Sequence, residues 1–122
     1  MICDDQAPYR FYLRSLLEQE RDLEIVGEGW HGGQAIERCR DLQPDVLVID
    51  LDMPVMSGYT ALQRVRRVAP TTRICVLTGN DVDLVAEASS SLGADRVFAK
   101  STPPDEIVTA LRRLASAPLA AH

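Results

Sequence analysis

Val46-Leu47-Val48-Ile49-Asp50-Leu51-Asp52-Met53-Pro54 opens with an unbroken apolar run that ends on an acid. A strand with one face in water alternates apolar and polar residues, whereas a strand covered on both faces does not. Val46 to Ile49 therefore reads as a central parallel strand, with Asp50 at its carboxyl end. Working outward, Leu23-Glu24-Ile25-Val26-Gly27, Arg73-Ile74-Cys75-Val76-Leu77 and Arg96-Val97-Phe98-Ala99 also read as strands. Met1-Ile2-Cys3 supplies a first strand that is short for a central position.

Helical periodicity fills the intervals. Tyr12, Leu13, Leu16 and Leu17 share a face of a helix near residues 7–19, and Ala35, Ile36 and Cys39 mark a second. Ala61, Leu62, Val65 and Val68 mark a third, Val85, Ala88 and Leu92 a fourth, and Ile107, Val108, Leu111 and Leu114 a fifth. Thr102 is placed to cap the last helix, with Pro103 at its first position and Asp105 near its positive end. Gly93 punctuates the end of the fourth helix and Gly58 the loop before the third. The regular β-α alternation implies right-handed crossovers and a doubly wound α/β sheet with helices on both faces.

The chain has 122 residues, 46% hydrophobic and 25% charged, which suits one domain with a real core. Thirteen basic against eighteen acidic residues give a net charge of −5, which disfavours a surface for phosphate backbones. Arg66-Arg67 and Arg112-Arg113 read as solvated helix faces. No stretch suits a membrane span, and Met1-Ile2-Cys3-Asp4-Asp5 does not read as a signal peptide. Cys3, Cys39 and Cys75 lack metal-binding spacing and read as buried thiols in a reducing, cytoplasmic setting, with Cys3 close to an acidic pocket. Trp30 and His31 read as surface packing in a glycine-bearing loop.

Ligands of open parallel sheets bind at the carboxyl ends of the strands. Asp4 and Asp5 follow the first predicted strand, Asp50 the third, Thr78 the fourth and Lys100 the fifth. Three carboxylates brought together repel one another unless a hard cation joins them, and Mg²⁺ takes a few carboxylates plus water and phosphate oxygens. Lys100 adds a point charge and Thr78 a hydroxyl donor opposite an incoming phosphoryl group. The set suits phosphoryl transfer to a carboxylate nucleophile, and Asp50 is the candidate because it ends the most buried strand.

Taken together, Asp4-Asp5, Asp50-Leu51-Asp52-Met53-Pro54-Val55-Met56-Ser57-Gly58, Thr78-Gly79 and Lys100 resemble the response-regulator receiver family of two-component systems. The phrases Val26-Gly27-Glu28 and Lys100-Ser101-Thr102-Pro103-Pro104-Asp105-Glu106-Ile107 are most similar to its NarL/FixJ (LuxR-type) branch. The resemblance implies a flavodoxin-like (βα)5 sheet of strand order 2-1-3-4-5 over residues 1–116. Residues 117–122 would be a tail, or the start of a linker to an effector domain that this chain does not include. It implies a phosphoacceptor at Asp50, a threonine that follows the phosphoryl group at Thr78, and a lysine that contacts it at Lys100. Mg²⁺ would be held by Asp5, Asp50 and the main-chain carbonyl of Asp52, and by Asp4 through water. Asp52 and Asn80 occupy positions that tune phosphoryl lifetime in that family. The implied partners are a sensor histidine kinase or phosphotransfer protein and a second copy in a homodimer. DNA would be reached only through a C-terminal helix-turn-helix domain outside this chain. Phosphorylation would draw Thr78 and the following loop inward and reshape the face of the fourth helix, fifth strand and fifth helix.

Two positions depart from the family pattern. Val97 stands where an aromatic switch is usual, with Phe98 beside it. Ser101 replaces a proline, and because a non-proline cis bond costs ~2.5–4 kcal/mol, a trans Lys100–Ser101 bond is expected. A haloacid-dehalogenase-like phosphatase would also use Asp50-Leu51-Asp52, with Asp52 as general acid. Its Asp-x-Asp would, however, stand near the N-terminus and its acidic pair after the lysine. A receiver-like module that is never phosphorylated usually loses an acid or the lysine, and this chain retains both.

Overall fold

The computed structural model describes residues 1–53, 56–79 and 81–116; Pro54, Val55, Asn80 and the expected tail 117–122 lie outside them. The elements run β1 (Ile2–Cys3), α1 (Ala7–Glu18), β2 (Glu28–Gly29), α2 (Gly32–Leu42), β3 (Val46–Ile49), α3 (Gly58–Val68), β4 (Arg73–Thr78), α4 (Val82–Ser91), β5 (Arg96–Ala99) and α5 (Pro104–Ser116). The strands form one parallel sheet of order β2-β1-β3-β4-β5, the flavodoxin-like arrangement expected.

The apolar run of β3 is explained by its neighbours. Successive strand residues point to opposite faces, and both faces are covered. Cys3, Leu47, Ile49, Ile74 and Val76 pack with Ala35 and Cys39 of α2, Ala61, Leu62 and Val65 of α3, and Val85 of α4. Ile2, Val48, Cys75 and Leu77 pack on the other face with Leu13 and Leu17 of α1 and Ile107, Val108 and Leu111 of α5. Val97 joins the first cluster and Phe98 the second, so neither side chain is free in solvent.

Several expectations are corrected. The second strand is Glu28–Gly29, not residues 23–27, because a strand needs a partner and β1 offers two residues, Ile2 opposite Glu28 and Cys3 opposite Gly29. Leu23 and Ile25 still pack against the core on the α1–α5 face. In α1, Tyr12 is 37% exposed and only Leu13 and Leu17 are buried. In α4, Ala88 faces solvent and Ser89 is buried, a rotation of the inward face by one residue. The fifth helix begins at Pro104: Pro103 is its cap residue, and its carbonyl accepts from Glu106 N at 3.1 Å and Ile107 N at 3.4 Å. Arg66 is not a solvated charge. Its guanidinium donates to the carbonyls of Pro70 (3.1 Å), Thr72 (2.8 Å) and Gly93 (2.8 Å), tying α3 to both ends of the α3–β5 segment.

No peptide bond among the described residues is cis, so Lys100–Ser101 is trans as expected. Gly93 follows α4 at φ 103°, a left-handed value that glycine adopts without a Cβ penalty. Trp30 is 48% exposed, and His31 caps α2, its Nδ1 accepting from Gln34 N at 3.2 Å. The cysteines are buried free thiols. Among the described residues no helix is long and apolar enough to cross a membrane.

Candidate phosphoacceptor and metal site

The parallel register brings four strand ends to one edge of the sheet. Cys3 lies opposite Ile49, and Ile49 opposite Val76. The amide of Asp50 donates to the Cys3 carbonyl at 3.0 Å, and that of Asp4 to the Gly29 carbonyl at 3.0 Å. These ladder bonds hold the acids of β1 and β3 side by side. On the far side, the amide of Lys100 donates to the Thr78 carbonyl at 2.8 Å.

Asp4 and Asp50 are 2% and 3% exposed, unusual burial for carboxylates unless they are paired. Lys100 Nζ provides the pairing, 2.7 Å from Asp4 Oδ2 and 3.2 Å from Asp50 Oδ2. It also donates to Gln6 Oε1 at 3.2 Å and stands 4.5 Å from the centre of the Tyr9 ring. The remaining carboxylate oxygens are hydrogen-bonded to main chain, Asp4 Oδ1 to Gln6 N at 2.8 Å and Asp50 Oδ1 to Asp52 N at 3.1 Å. Asp5 is exposed, and its carboxylate joins those of Asp4 and Asp50 so that one oxygen from each lies within 4.8 Å of the others.

Burial pushes the Asp4 carboxyl above the usual aspartate range, and the nearby Asp50 adds to this; hydrogen bonds from Lys100 and the Gln6 amide pull the other way without cancelling it. Burial pulls the Lys100 ammonium down, but Asp4 and Asp50 outweigh it and hold the group above the ordinary lysine value. Both partners of the ion pair thus favour the proton, Asp4 mainly because it is buried and Lys100 because two carboxylates face it. Three carboxylates against one ammonium leave two negative charges, which one divalent cation balances. An all-oxygen donor set of this kind fits Mg²⁺.

Thr78 is fully buried at the end of β4. Gly58, the first residue of α3, packs directly on the backbone of Leu51; a Cβ there would lie 2.4 Å from Leu51 Cα. That close approach sets the path of the chain as it leaves Asp50.

Of the residues singled out from the sequence, Asp4, Asp5, Asp50 and Lys100 converge. Asp52 contributes its amide to Asp50, and Thr78 adjoins Lys100 through the main chain. Gln6, Tyr9 and Arg10 were missed. Arg10 Nη1 donates to the Asp4 carbonyl at 2.7 Å while its guanidinium lies 5.7 Å from the Trp30 ring centre, with Arg38 at 5.2 Å. The available signal was spacing: residues 6, 9 and 10 share one helical face that starts beside the acidic pair.

The family model for the response regulator receiver domain matches residues 1–112. Response regulator protein VraR of Staphylococcus saprophyticus is 31% identical over 113 residues, which are 93% of this chain and 54% of that protein. Nitrate/nitrite response regulator protein NarP of Escherichia coli is 36% identical over 112 residues, 92% of this chain and 52% of that protein. The crystal structure of a LuxR-family two-component response regulator from Aurantimonas matches with a TM-score of 0.90 at 28% identity, over 99% of this chain and 86% of that one. The chain spans about half the length of these curated relatives.

Proposed function

Because this chain belongs to the response regulator receiver domain family, near its NarL/LuxR branch, we propose that Asp50 is the residue that accepts a phosphoryl group. The chain is a signalling domain, and its family membership sets aside the haloacid-dehalogenase reading. One observation carries the assignment. A single ammonium, that of Lys100, is hydrogen-bonded to Asp50 and paired with Asp4 at the carboxyl ends of three strands.

In the transfer, a carboxylate oxygen of Asp50 forms a bond to phosphorus as the donor's bond to phosphorus breaks. The leaving group departs with that electron pair, and an acyl phosphate remains on Asp50. Lys100 stands beside the attacked group, where its charge offsets the negative charge of the phosphoryl oxygens. The Thr78 hydroxyl follows one of these oxygens, and the burial of Asp4 and Asp50 limits screening of the interaction by bulk water. Asp5, Asp50, the Asp52 carbonyl and, through water, Asp4 would hold Mg²⁺, which when bound neutralises phosphoryl charge and the excess negative charge of the acids.

The donor we propose is a phosphohistidine on a sensor kinase or phosphotransfer protein. In a longer regulator, the phosphorylated domain acts in the cytoplasm on a helix-turn-helix DNA-binding domain, through dimer formation or release of that domain. The two NarL/LuxR-type relatives, of which the matched segment is 54% and 52%, support that reading.

Intact mass spectrometry after incubation with a small acyl phosphate and Mg²⁺ tests the assignment. One added phosphoryl group in the wild type, lost in Asp50→Asn and after metal chelation, is the expected result. Equal labelling of Asp50→Asn, or no labelling of folded wild type, refutes it.

A further inference from the structure

We infer that Tyr9 is a positioning residue for Lys100, carrying the ammonium on its ring face so that no hydrogen-bond donor is spent on the anchor. The inference rests on the reading of Asp50 as the phosphoacceptor.

Lys100 is a flexible four-carbon stem ending in three donors and no acceptor. All three donors have partners within 3.2 Å, namely Asp4, Asp50 and Gln6. The Tyr9 ring, with its centre 4.5 Å from Nζ, supports the ammonium from a further side, well inside the ~6 Å reach of a cation–π contact. When a phosphoryl group arrives on Asp50, at least one Lys100 donor must change partner to a phosphoryl oxygen. A side chain that anchored Lys100 by accepting a hydrogen bond would hold a donor back. A ring face attracts the charge as a whole, so the donors stay free to exchange while Nζ stays in place.

Two details separate the ring from the rest of the tyrosine. The Tyr9 hydroxyl is buried and has no hydrogen-bond partner among the described residues, a cost that a phenylalanine would avoid. It follows that the ring, not the hydroxyl, serves the site. The ring is itself held in place, packed against the core of the α1–α5 face and tilted against Tyr12 at 5.5 Å between centres. Tyr9 lies one turn after Gln6, so the helix that begins beside Asp4 and Asp5 presents both of these Lys100 contacts from one face.

The alternative is that Tyr9 merely fills space between α1 and the sheet, and a double-mutant cycle distinguishes the two. Phosphorylation rates with a small acyl phosphate and Mg²⁺ would be compared for wild type, Tyr9→Phe, Tyr9→Leu, Lys100→Met and Tyr9→Leu with Lys100→Met. Tyr9→Phe should remain within about twofold of wild type, and Tyr9→Leu should slow by about 2- to 30-fold, the range of a cation–π contact. In the Lys100→Met background, Tyr9→Leu should have no further effect. The same four-way comparison by urea unfolding, without metal or donor, should show coupling between positions 9 and 100 even where the lysine variant reacts too slowly to time. Equal losses in both backgrounds, absence of coupling in unfolding, or a Tyr9→Phe loss as large as that of Tyr9→Leu would overturn the inference. Folded wild type that takes no phosphoryl group would instead refute the phosphoacceptor reading beneath it.

Discussion

Replacing Gly58 by alanine pits two effects of known size against each other. Gly58 is the first residue of α3 and has no left-handed backbone angle, so helix propensity alone favours alanine by ~0.5–1 kcal/mol. The added Cβ would, however, meet Leu51 Cα at 2.4 Å, Leu51 O at 2.6 Å and Leu51 C at 2.9 Å. All three are backbone atoms, so no side-chain rotation relieves the clash. Restoring an ordinary contact of 3.4 Å requires about 1 Å of movement between the α3 start and the residue that follows Asp50. Overpacking of that kind costs ~1–3 kcal/mol, which exceeds the propensity gain. The net loss is then up to ~2.5 kcal/mol, and at about 4 °C per kcal/mol for a chain of this length the midpoint of thermal unfolding should fall by up to about 10 °C.

The displacement also reaches the chemistry. Misplacement of a reacting group by ~1 Å lowers rates by up to ~100-fold, so phosphorylation of Gly58→Ala should slow by one to two orders of magnitude. Gly79, in the loop after Thr78, is the control. No atom of the described residues lies within 4 Å of its added Cβ and its backbone angle is not left-handed, so Gly79→Ala should change stability by at most ~1 kcal/mol, in the favourable direction. Scanning calorimetry and timed intact-mass labelling of both variants check the pair. A Gly58→Ala protein that melts and labels like wild type would refute the claim that Leu51 and Gly58 set the position of Asp50.

Mg²⁺ at a hundred times its dissociation constant should stabilise the folded chain by ~2.7 kcal/mol, or about 10 °C, and Asp50→Asn should lose most of that gain in the same melt. Lys100 holds its proton above the ordinary lysine value in the fold, so its contribution is complete below about pH 10 and is lost as pH rises through the raised value. The stability difference between wild type and Lys100→Met should accordingly stay constant from neutral pH to about 10 and shrink above it, as read by urea titrations across that range. Burial pushes the thiols of Cys39 to about 11 and of Cys3 and Cys75 to about 12, so alkylation near pH 8 should be slow in the native protein and complete in urea; fast native labelling would contradict the burial.

Much of the site was legible because a parallel sheet sends every strand end of one sense to the same edge. Once Val46–Ile49 is read as a covered strand, Asp50 must lie beside whatever follows the first, fourth and fifth strands. Asp4, Thr78 and Lys100 are found there. Where the reading slipped, a local signal had two equal solutions and a distant contact chose between them. Pro103 and Pro104 each suit a helix start, and the chain uses the second. Ala88 is the more apolar inward candidate, yet α4 turns Ser89 to the core. Residues 23–27 have strand composition, but two residues of β1 decide where the ladder forms.

By itself, the order of residues determined the alternation of strands and helices, the two-faced cover of β3, and which polar groups meet at the sheet edge. These follow from period, burial and topology, which act along the chain. Only the tertiary structure decided that Arg66 ties three carbonyls rather than facing water, that Gly58 presses on Leu51, and that Lys100 meets Gln6, 94 residues earlier, and the ring of Tyr9. Contacts of that kind depend on distances of a few ångströms between segments far apart in the chain, and no local preference encodes them.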